Sequence, residues 1–308
     1  MMHIRPPGRL AGLSRQELAL VAVTALWGAT FVVVHLAVQH SGPWFFIGIR
    51  FLVAGAAAAV VFHRGLRCVR GRDVLAGVSI GVCLFFGYGL QTFGLQTISA
   101  STSAFITAVY VPLVPLLQWA VFRKLPDRMA LLGVAFAFAG LILIAGPDAL
   151  RIGLGPGEIA TLVSTIAMAG EIILISVFAG RTNLGNVTVI QLLTAGALGL
   201  LTMPVVDEGI PAFSWAWLLP AVGMGAASCL IQLTMNWAQR SVSPTRATIV
   251  YAGEPVWGGI AGRIAGDRLP ALAIFGAALI VVGVITSELK PRNRRAADSP
   301  SETTATPG

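Results

Sequence analysis

Long apolar stretches separated by short polar punctuation fill the chain from Ala19 to Ser287. The pattern predicts ten membrane-spanning helices, over residues 17–38, 43–62, 73–93, 98–119, 128–146, 156–178, 187–205, 214–235, 244–264 and 269–287. Each run holds roughly the 20 residues that a helix rising about 1.5 Å per residue needs to cross the hydrocarbon core. The connections are short, so little of the chain folds outside the bilayer.

The second five runs echo the first five. Gly133 and Gly140 lie seven apart in one apolar run, as do Gly276 and Gly283 in another, at an offset of 143 residues. Ala25-Leu26-Trp27-Gly28 meets Ala167-Met168-Ala169-Gly170 at 142, Leu125-Pro126 meets Leu269-Pro270 at 144, and Ser99-Ala100-Ser101 meets Ser241-Val242-Ser243 at 142. A unit with an odd number of spans, fused to its own copy, places the copy upside down in the membrane, the inverted-repeat plan of many secondary transporters. The expected fold is therefore an all-α integral membrane protein, with ten transmembrane helices as two inverted five-helix repeats. The expected divisions are a cytoplasmic N-terminal tail (1–14), a first repeat (15–146), a second, inverted repeat (156–287) and a disordered cytoplasmic tail (288–308).

Composition supports this solvent. Hydrophobic residues make up 56% and charged residues 11% of the 308, and the mean hydropathy is +0.82, whereas soluble domains carry about 25% charge. Charge also gives orientation, because cytoplasmic loops hold an excess of Lys and Arg. With the N-terminus inside, sixteen of the 21 basic residues fall on the cytoplasmic side, among them Arg64, Arg67, Arg70 and Arg72, then Arg123, Lys124 and Arg128. Arg151, Arg263 and Arg268 fall outside, while Arg50 and Arg246 lie within or at the edge of spans. The basic loop after the second span corresponds to a loop after the seventh that holds Asp207 and Glu208 and no base, as inversion requires. The net charge of +8 is thus a signal of topology and of contact with lipid headgroups, not a nucleic-acid footprint. Nineteen of the bases are arginine and alanine and glycine abound, a composition associated with GC-rich bacterial genomes. The expected location is the bacterial inner membrane, with both termini cytoplasmic.

Chemical motifs are sparse. Cys68, Cys83 and Cys229 are scattered, and no His and Cys ligand set exists, so neither a metal centre nor any other cofactor is expected. Gly77-Val78-Ser79-Ile80-Gly81 spells the G-x-S-x-G of serine hydrolases, yet it sits inside a predicted span where that motif needs a strand-turn-helix. Its glycines, like Gly258, Gly262 and Gly266, suit close helix packing instead.

Charges inside the apolar runs carry more information, since each costs about 2.5 to 3.5 kcal/mol at the bilayer centre. Glu254 lies about ten residues into the ninth run, beside Pro255, which removes a backbone donor and kinks the helix; its functional reading competes with a structural ion pair. Arg50 lies deep in the second run and needs a partner or water, with Glu171 and Glu254 as alternatives. Glu171, near the middle of the sixth run, is the natural proton-titrating group if it faces a cavity; a structural pair with Arg50 is the competing reading. Arg246 reads as a helix-end anchor, and His35 as an interfacial residue rather than a proton relay. Trp27, Tyr88, Tyr110 and Tyr251 line a cavity or pack between helices, with Tyr110 and Tyr251 at near-equivalent places in the two halves. Gln91, Gln232 and Asn236 offer hydrogen bonds either to a ligand or to neighbouring helices.

Four places carry a resemblance: Leu26-Trp27-Gly28-Ala29-Thr30-Phe31, Gly48-Ile49-Arg50-Phe51-Leu52, Gly94-Leu95-Gln96-Thr97-Ile98-Ser99-Ala100, and Ser243-Pro244-Thr245-Arg246-Ala247-Thr248 leading to Glu254-Pro255. In order and spacing the core over 17–287 resembles the EamA family of the drug/metabolite transporter superfamily. The resemblance implies ten helices in two five-helix repeats, with helices 1, 3, 4, 6, 8 and 9 around a central path and helices 5 and 10 in support. It would place Trp27, Tyr110, Glu171, Tyr251 and Glu254 at or near the site; with Arg50 and Gln91, singled out above from their own chemistry, these are the expected substrate-binding or coupling residues. Two departures stand out. The acid that the family often places before the Arg-Leu of its fifth and tenth helices survives in Asp267-Arg268-Leu269 but not in Arg123-Lys124-Leu125, and Glu171 stands where a neutral or amide side chain is expected.

The implied function is a secondary transporter, an exporter of small polar metabolites such as amino acids, working by alternating access. Its energy would come from protons or from the substrate's own gradient, because no P-loop is present. The small-molecule substrate and the lipid bilayer are the expected partners, nucleic acid is not, and the sequence leaves monomer or homodimer undetermined. A non-transporting scaffold or sensor is the alternative. A membrane-embedded enzyme ranks below both, lacking a nucleophile with a base or a metal set.

Overall fold

The apolar runs fold as helices, and no strand occurs among the described residues. The first run forms α1 (Arg15–Gly28) and α2 (Thr30–Val38), and the second and third form α3 (Pro43–Phe62) and α4 (Gly71–Gly94). The fourth is divided into α5 (Ala100–Thr107) and α6 (Tyr110–Phe122), followed by α7 (Arg128–Ala145). The second half contributes α8 (Pro156–Phe178), α9 (Leu184–Thr202), α10 (Trp215–Ala238), α11 (Pro244–Tyr251) and α12 (Ala271–Glu288). The structure is a computed structural model and describes residues 14–28, 30–98, 100–123, 125–145, 155–254, 256–257 and 271–288. Ala29, Ser99, Lys124, Arg151, Pro255, Gly258, Gly262, Arg263, Gly266, Asp267-Arg268-Leu269 and most of both tails lie outside them.

Among the described residues five helices are long and apolar enough to cross a membrane: α3, α4, α8, α10, and α9 with the short turn that extends it to Val205. Shorter apolar helices cover Tyr110–Phe122, Arg128–Leu143 and Ile274–Ser287. Large apolar side chains such as Val60, Leu116, Ile166, Leu219 and Phe275 point outward and are exposed, which suits a hydrocarbon solvent. Helix starts follow local rules. Pro43, Pro156 and Pro244 open α3, α8 and α11, where a missing N–H costs nothing. Asn183, Ser214 and Ser243 cap α9, α10 and α11 with side-chain oxygens.

The fourth run departs from one continuous helix for a reason visible in the chain. Pro112 lacks the N–H that would bond the carbonyl of Ala108, and its ring crowds that carbonyl. The backbone tightens there: the Val109 N–H bonds Ile106 O at 3.1 Å and the Val111 N–H bonds Ala108 O at 3.0 Å, each three residues back. The ninth run breaks in the matching place. α11 stops at Tyr251, four residues before Pro255, and the Gly253 N–H reaches only three residues back to Val250 O, at 3.0 Å.

Helices of the two halves pack on each other in a reciprocal pattern. α3 packs on α9 and α10, α4 on α8 and α9, α1 on α10 and α11, α6 on α8 and α11, and α7 on α12. Exchanging each helix for its echo (α1 for α8, α3 for α9, α4 for α10, α6 for α11, α7 for α12) maps this set onto itself. Echoed helices run antiparallel where they meet. On the α3/α9 seam Gly48 faces Leu200, Gly55 faces Leu193 and Phe62 faces Gly185, so one number falls as the other rises. On the α7/α12 seam Gly133 faces Gly283 and Gly140 faces Gly276, so the glycines seven apart in each helix interlock.

Acidic side chains tie the halves at two helix starts. Asp73, in the first turn of α4, accepts the backbone N–H of Asn183 at 2.9 Å and the Asn186 side-chain amide at 3.0 Å, at the start of α9. Glu208, before α10, accepts the backbone N–H groups of Phe45 at 2.6 Å and Trp44 at 3.2 Å, at the start of α3. Both put negative charge where the helix dipole is positive. Gly42 makes room for this contact, since a Cβ there would run into the Glu208 carboxyl.

Candidate functional site

One cavity lies where the broken helices meet. Its walls come from α1 and α2 (Trp27, Thr30, Val34), α3 (Arg50), α4 (Tyr88, Gln91, Thr92), Thr107 and Tyr110 either side of the α5/α6 break, α8 (Met168, Glu171, Ile172), α10 (Met235), and Tyr251 and Glu254 at the α11 break. All seven residues singled out from the sequence therefore line one space. Among the described residues none of α7 or α12 lines it, and these two helices pack on each other. The cavity volume is about 50 Å³, room for a few water molecules.

Arg50 is only 3% exposed. Its Nε donates to Ser228 Oγ on α10 at 2.8 Å. Its guanidinium carbon lies 5.2 Å from the centroid of the Phe51 ring and 5.2 Å from that of Tyr88, rings that themselves meet edge to face. Aromatic faces thus attract the cation where a carboxylate was one expectation. Among the described residues Arg50 forms no ion pair, with Glu171, Glu254 or any other acid, and no protein group takes its terminal guanidinium nitrogens.

Glu171 Oε1 accepts the side-chain amide of Gln232 at 2.9 Å, and its Oε2 has no partner among the described residues. Among the described residues Glu254 has no hydrogen-bond partner. Both lie within electrostatic reach of Tyr88 and Tyr110. Trp27 meets Tyr251 edge to face at 5.3 Å between ring centroids, and its buried indole Nε1–H has no partner among the described residues. The Tyr251 hydroxyl accepts from Gln239 at 3.3 Å, and Gln91 donates to Thr107 at 2.9 Å, bridging α4 to α5.

Other sequence candidates lie elsewhere. Arg246 sits in the first turn of α11, away from the cavity lining, and His35 Nδ1 lies 3.1 Å from the carbonyl of Leu95. Ser79 of the hydrolase-like motif spends its hydroxyl on the Leu75 carbonyl at 2.7 Å, while Gly77 and Gly81 pack on α9. Among the described residues no His, Cys, Asp and Glu gather as a metal site. Sequence reasoning missed Thr30, Thr92, Thr107 and Ser228: a lone hydroxyl in an apolar helix usually bonds its own backbone and gives no signal. The prolines at 112 and 255 did carry the signal for where the cavity forms.

The EamA-like transporter family matches the chain twice, over residues 15–146 and 155–288. The chain belongs to this family. EamA-like relatives extend over nearly the whole length. An uncharacterized transporter of Archaeoglobus fulgidus is 28% identical over 293 residues, covering 93% of this chain and 91% of that protein. The uncharacterized inner membrane transporter YedA of Escherichia coli K12 is 27% identical over 275 residues, covering 87% and 88%. A crystal structure shares the fold with a TM-score of 0.71 at 17% identity, covering 88% of this chain and 96% of that one. The EamA-like chain is accordingly a multi-pass membrane protein of a transporter family.

Proposed function

We propose that the protein is a secondary transporter that exports small polar metabolites such as amino acids, by alternating access between two inverted repeats. One observation carries this reading: Arg50 from the first half and Glu171 and Glu254 from the second line a single cavity without pairing with one another. Charges kept apart inside a helix bundle are matched by charges on a solute. The free guanidinium nitrogens of Arg50 suit a carboxylate, held in a planar fork. Glu254 suits an ammonium group, and the Trp27 indole N–H supplies a further donor that finds no acceptor in the protein. Glu171, or Glu254 between solutes, serves as the proton-carrying group if transport is proton-coupled.

Antiparallel seams between echoed helices, reciprocal packing and the two acidic ties all support inversion of repeat 156–287 relative to repeat 15–146. Helices of both halves wall the cavity, and alternating access requires them to part on one side at a time. Breaks at 108–109 and 252–253 supply the points that absorb such movement, as discontinuous helices do in other transporters. The excess of cytoplasmic bases supports an inner-membrane protein with both termini inside. Outward movement follows the direction to which the family resemblance points.

A thermal-unfolding screen of the detergent-purified protein against amino acids and related metabolites tests the substrate class. A ligand at 100 times its Kd stabilises the folded state by about 2.7 kcal/mol. Stabilisation by zwitterions but not by their esters or N-acyl forms supports the reading, and stabilisation by none of these solutes contradicts it.

A further inference from the structure

Behind the cavity, polar side chains stand in single file between apolar helices. Gln232 Nε2 donates to Glu171 Oε1 at 2.9 Å, and Gln191 Nε2 donates to Gln232 Oε1 at 2.8 Å. Asn236 Nδ2 donates to Gln191 Oε1 at 3.1 Å and to Thr188 Oγ1 at 3.1 Å, and the Thr188 hydroxyl donates to the Leu184 carbonyl at 2.8 Å. The file crosses between α8, α10 and α9, and none of its five side chains is more than 7% exposed. Only its first member, Glu171, touches the cavity; Asn236 reaches a separate small cleft beside Arg240.

The file has a fixed direction. Thr188 has one hydroxyl proton, and the helix carbonyl of Leu184 takes it, so its oxygen presents a lone pair to Asn236. Asn236 answers with its NH₂, which obliges Gln191 to turn its carbonyl that way and its NH₂ toward Gln232. Gln232 then arrives at Glu171 with NH₂ and never with a carbonyl. Close packing fixes the α9 backbone from which Gln191 projects: a Cβ on Gly81 of α4 would lie 2.6 Å from the Gln191 backbone carbonyl oxygen, and one on Gly77 would lie 2.5 Å from the Ile190 side chain.

We infer that Gln191 is a positioning residue: through Gln232 it clamps one oxygen of the Glu171 carboxylate and leaves the other, Oε2, to the cavity. The inference rests on the reading of the cavity as a transport site, and it assigns a role to a residue that touches neither the cavity nor a charge. Removing an amide from a buried file leaves its neighbours unsatisfied.

Q191E tests it, because a carboxylate at position 191 accepts from Asn236 and also claims the Gln232 NH₂. The one NH₂ of Gln232 faces one side only, so its carbonyl turns to Glu171, which then bonds only when protonated. The full-length protein, purified in detergent, is expected to lose about 2–4 °C or more in Tm in Q191E. The double variant Q191E/E171Q is expected to return close to the Tm of E171Q, since an amide at 171 donates to the turned Gln232. Infrared difference spectra at neutral pH are expected to show an added protonated-carboxyl band in Q191E that the double variant lacks. Additive Tm losses in the double variant, or no added band, overturn the inference. So does Tm rescue with counterflow of a proteinogenic amino-acid mixture unchanged in Q191E. Absent counterflow in the wild-type protein counts against the transport reading alone, because the Tm cycle and the infrared band read the file without any solute.

Discussion

Gly133 and Gly283 face each other across the α7/α12 seam so closely that a Cβ on either would lie 2.7 Å from the carbonyl oxygen of the other. Only backbone fits between these helices. Gly133→Leu or Gly283→Leu is expected to lower stability by about 1–3 kcal/mol through overpacking. Gly223→Ala on α10, where a Cβ meets nothing within 4 Å, is expected to leave stability unchanged or slightly raised. Thermal unfolding in detergent separates the two.

The acidic ties carry a second expectation. Asp73→Ala removes the acceptor for the Asn183 N–H and the Asn186 amide, and Glu208→Ala removes that for Phe45 and Trp44. Each is expected to cost about 1–2 kcal/mol, the scale of a helix cap. Hydrogen exchange is expected to rise at the start of α9 for the first variant and at the start of α3 for the second.

Trp27→Phe keeps a ring against Tyr251 while deleting the unpartnered indole N–H. Unfolding temperature is expected to hold within a degree or two, because no protein acceptor loses a bond. Solute affinity, measured as a dissociation constant, is expected to weaken roughly tenfold, the scale of one hydrogen bond.

Arg50→Lys preserves charge but not the fork. The lysine ammonium cannot hold Ser228 and stack between Phe51 and Tyr88 while also presenting two parallel donors. Affinity for a carboxylate-bearing solute is expected to fall by about tenfold or more, whereas Ser228→Ala is expected to weaken it less. Titration calorimetry of both variants checks the order.

Much of this arrangement was legible in the chain, and for physical reasons. Apolar runs of membrane length report themselves, and the glycines at 133, 140, 276 and 283 marked the repeat, although their interlocking across one seam shows only in the fold. Charges in such runs are costly enough to mark a site, so Arg50, Glu171 and Glu254 stood out, and all three line the cavity. What stayed hidden depends on separation in sequence. Ser228 meets Arg50 across 178 residues and Glu208 meets Phe45 across 163, and neither a serine in an apolar helix nor an acid in a loop declares its partner. Gln191 gave no sign at all, since a buried amide is unremarkable until its neighbours are known. The break at Ala108 was readable from Pro112, yet hydropathy alone carried the run straight through it.

On the function proposed above, Glu254 takes part in moving a solute rather than in holding helices together. Its carboxyl has no hydrogen-bond partner among the described residues, so Glu254→Gln removes a charge without stranding any of them. Counterflow of radiolabelled amino acids in proteoliposomes, with wild-type and Glu254→Gln protein at equal incorporation and equal Tm, is the most direct measurement. The account predicts saturable counterflow for the wild type and a loss of at least tenfold for the variant. Normal counterflow by Glu254→Gln would contradict it.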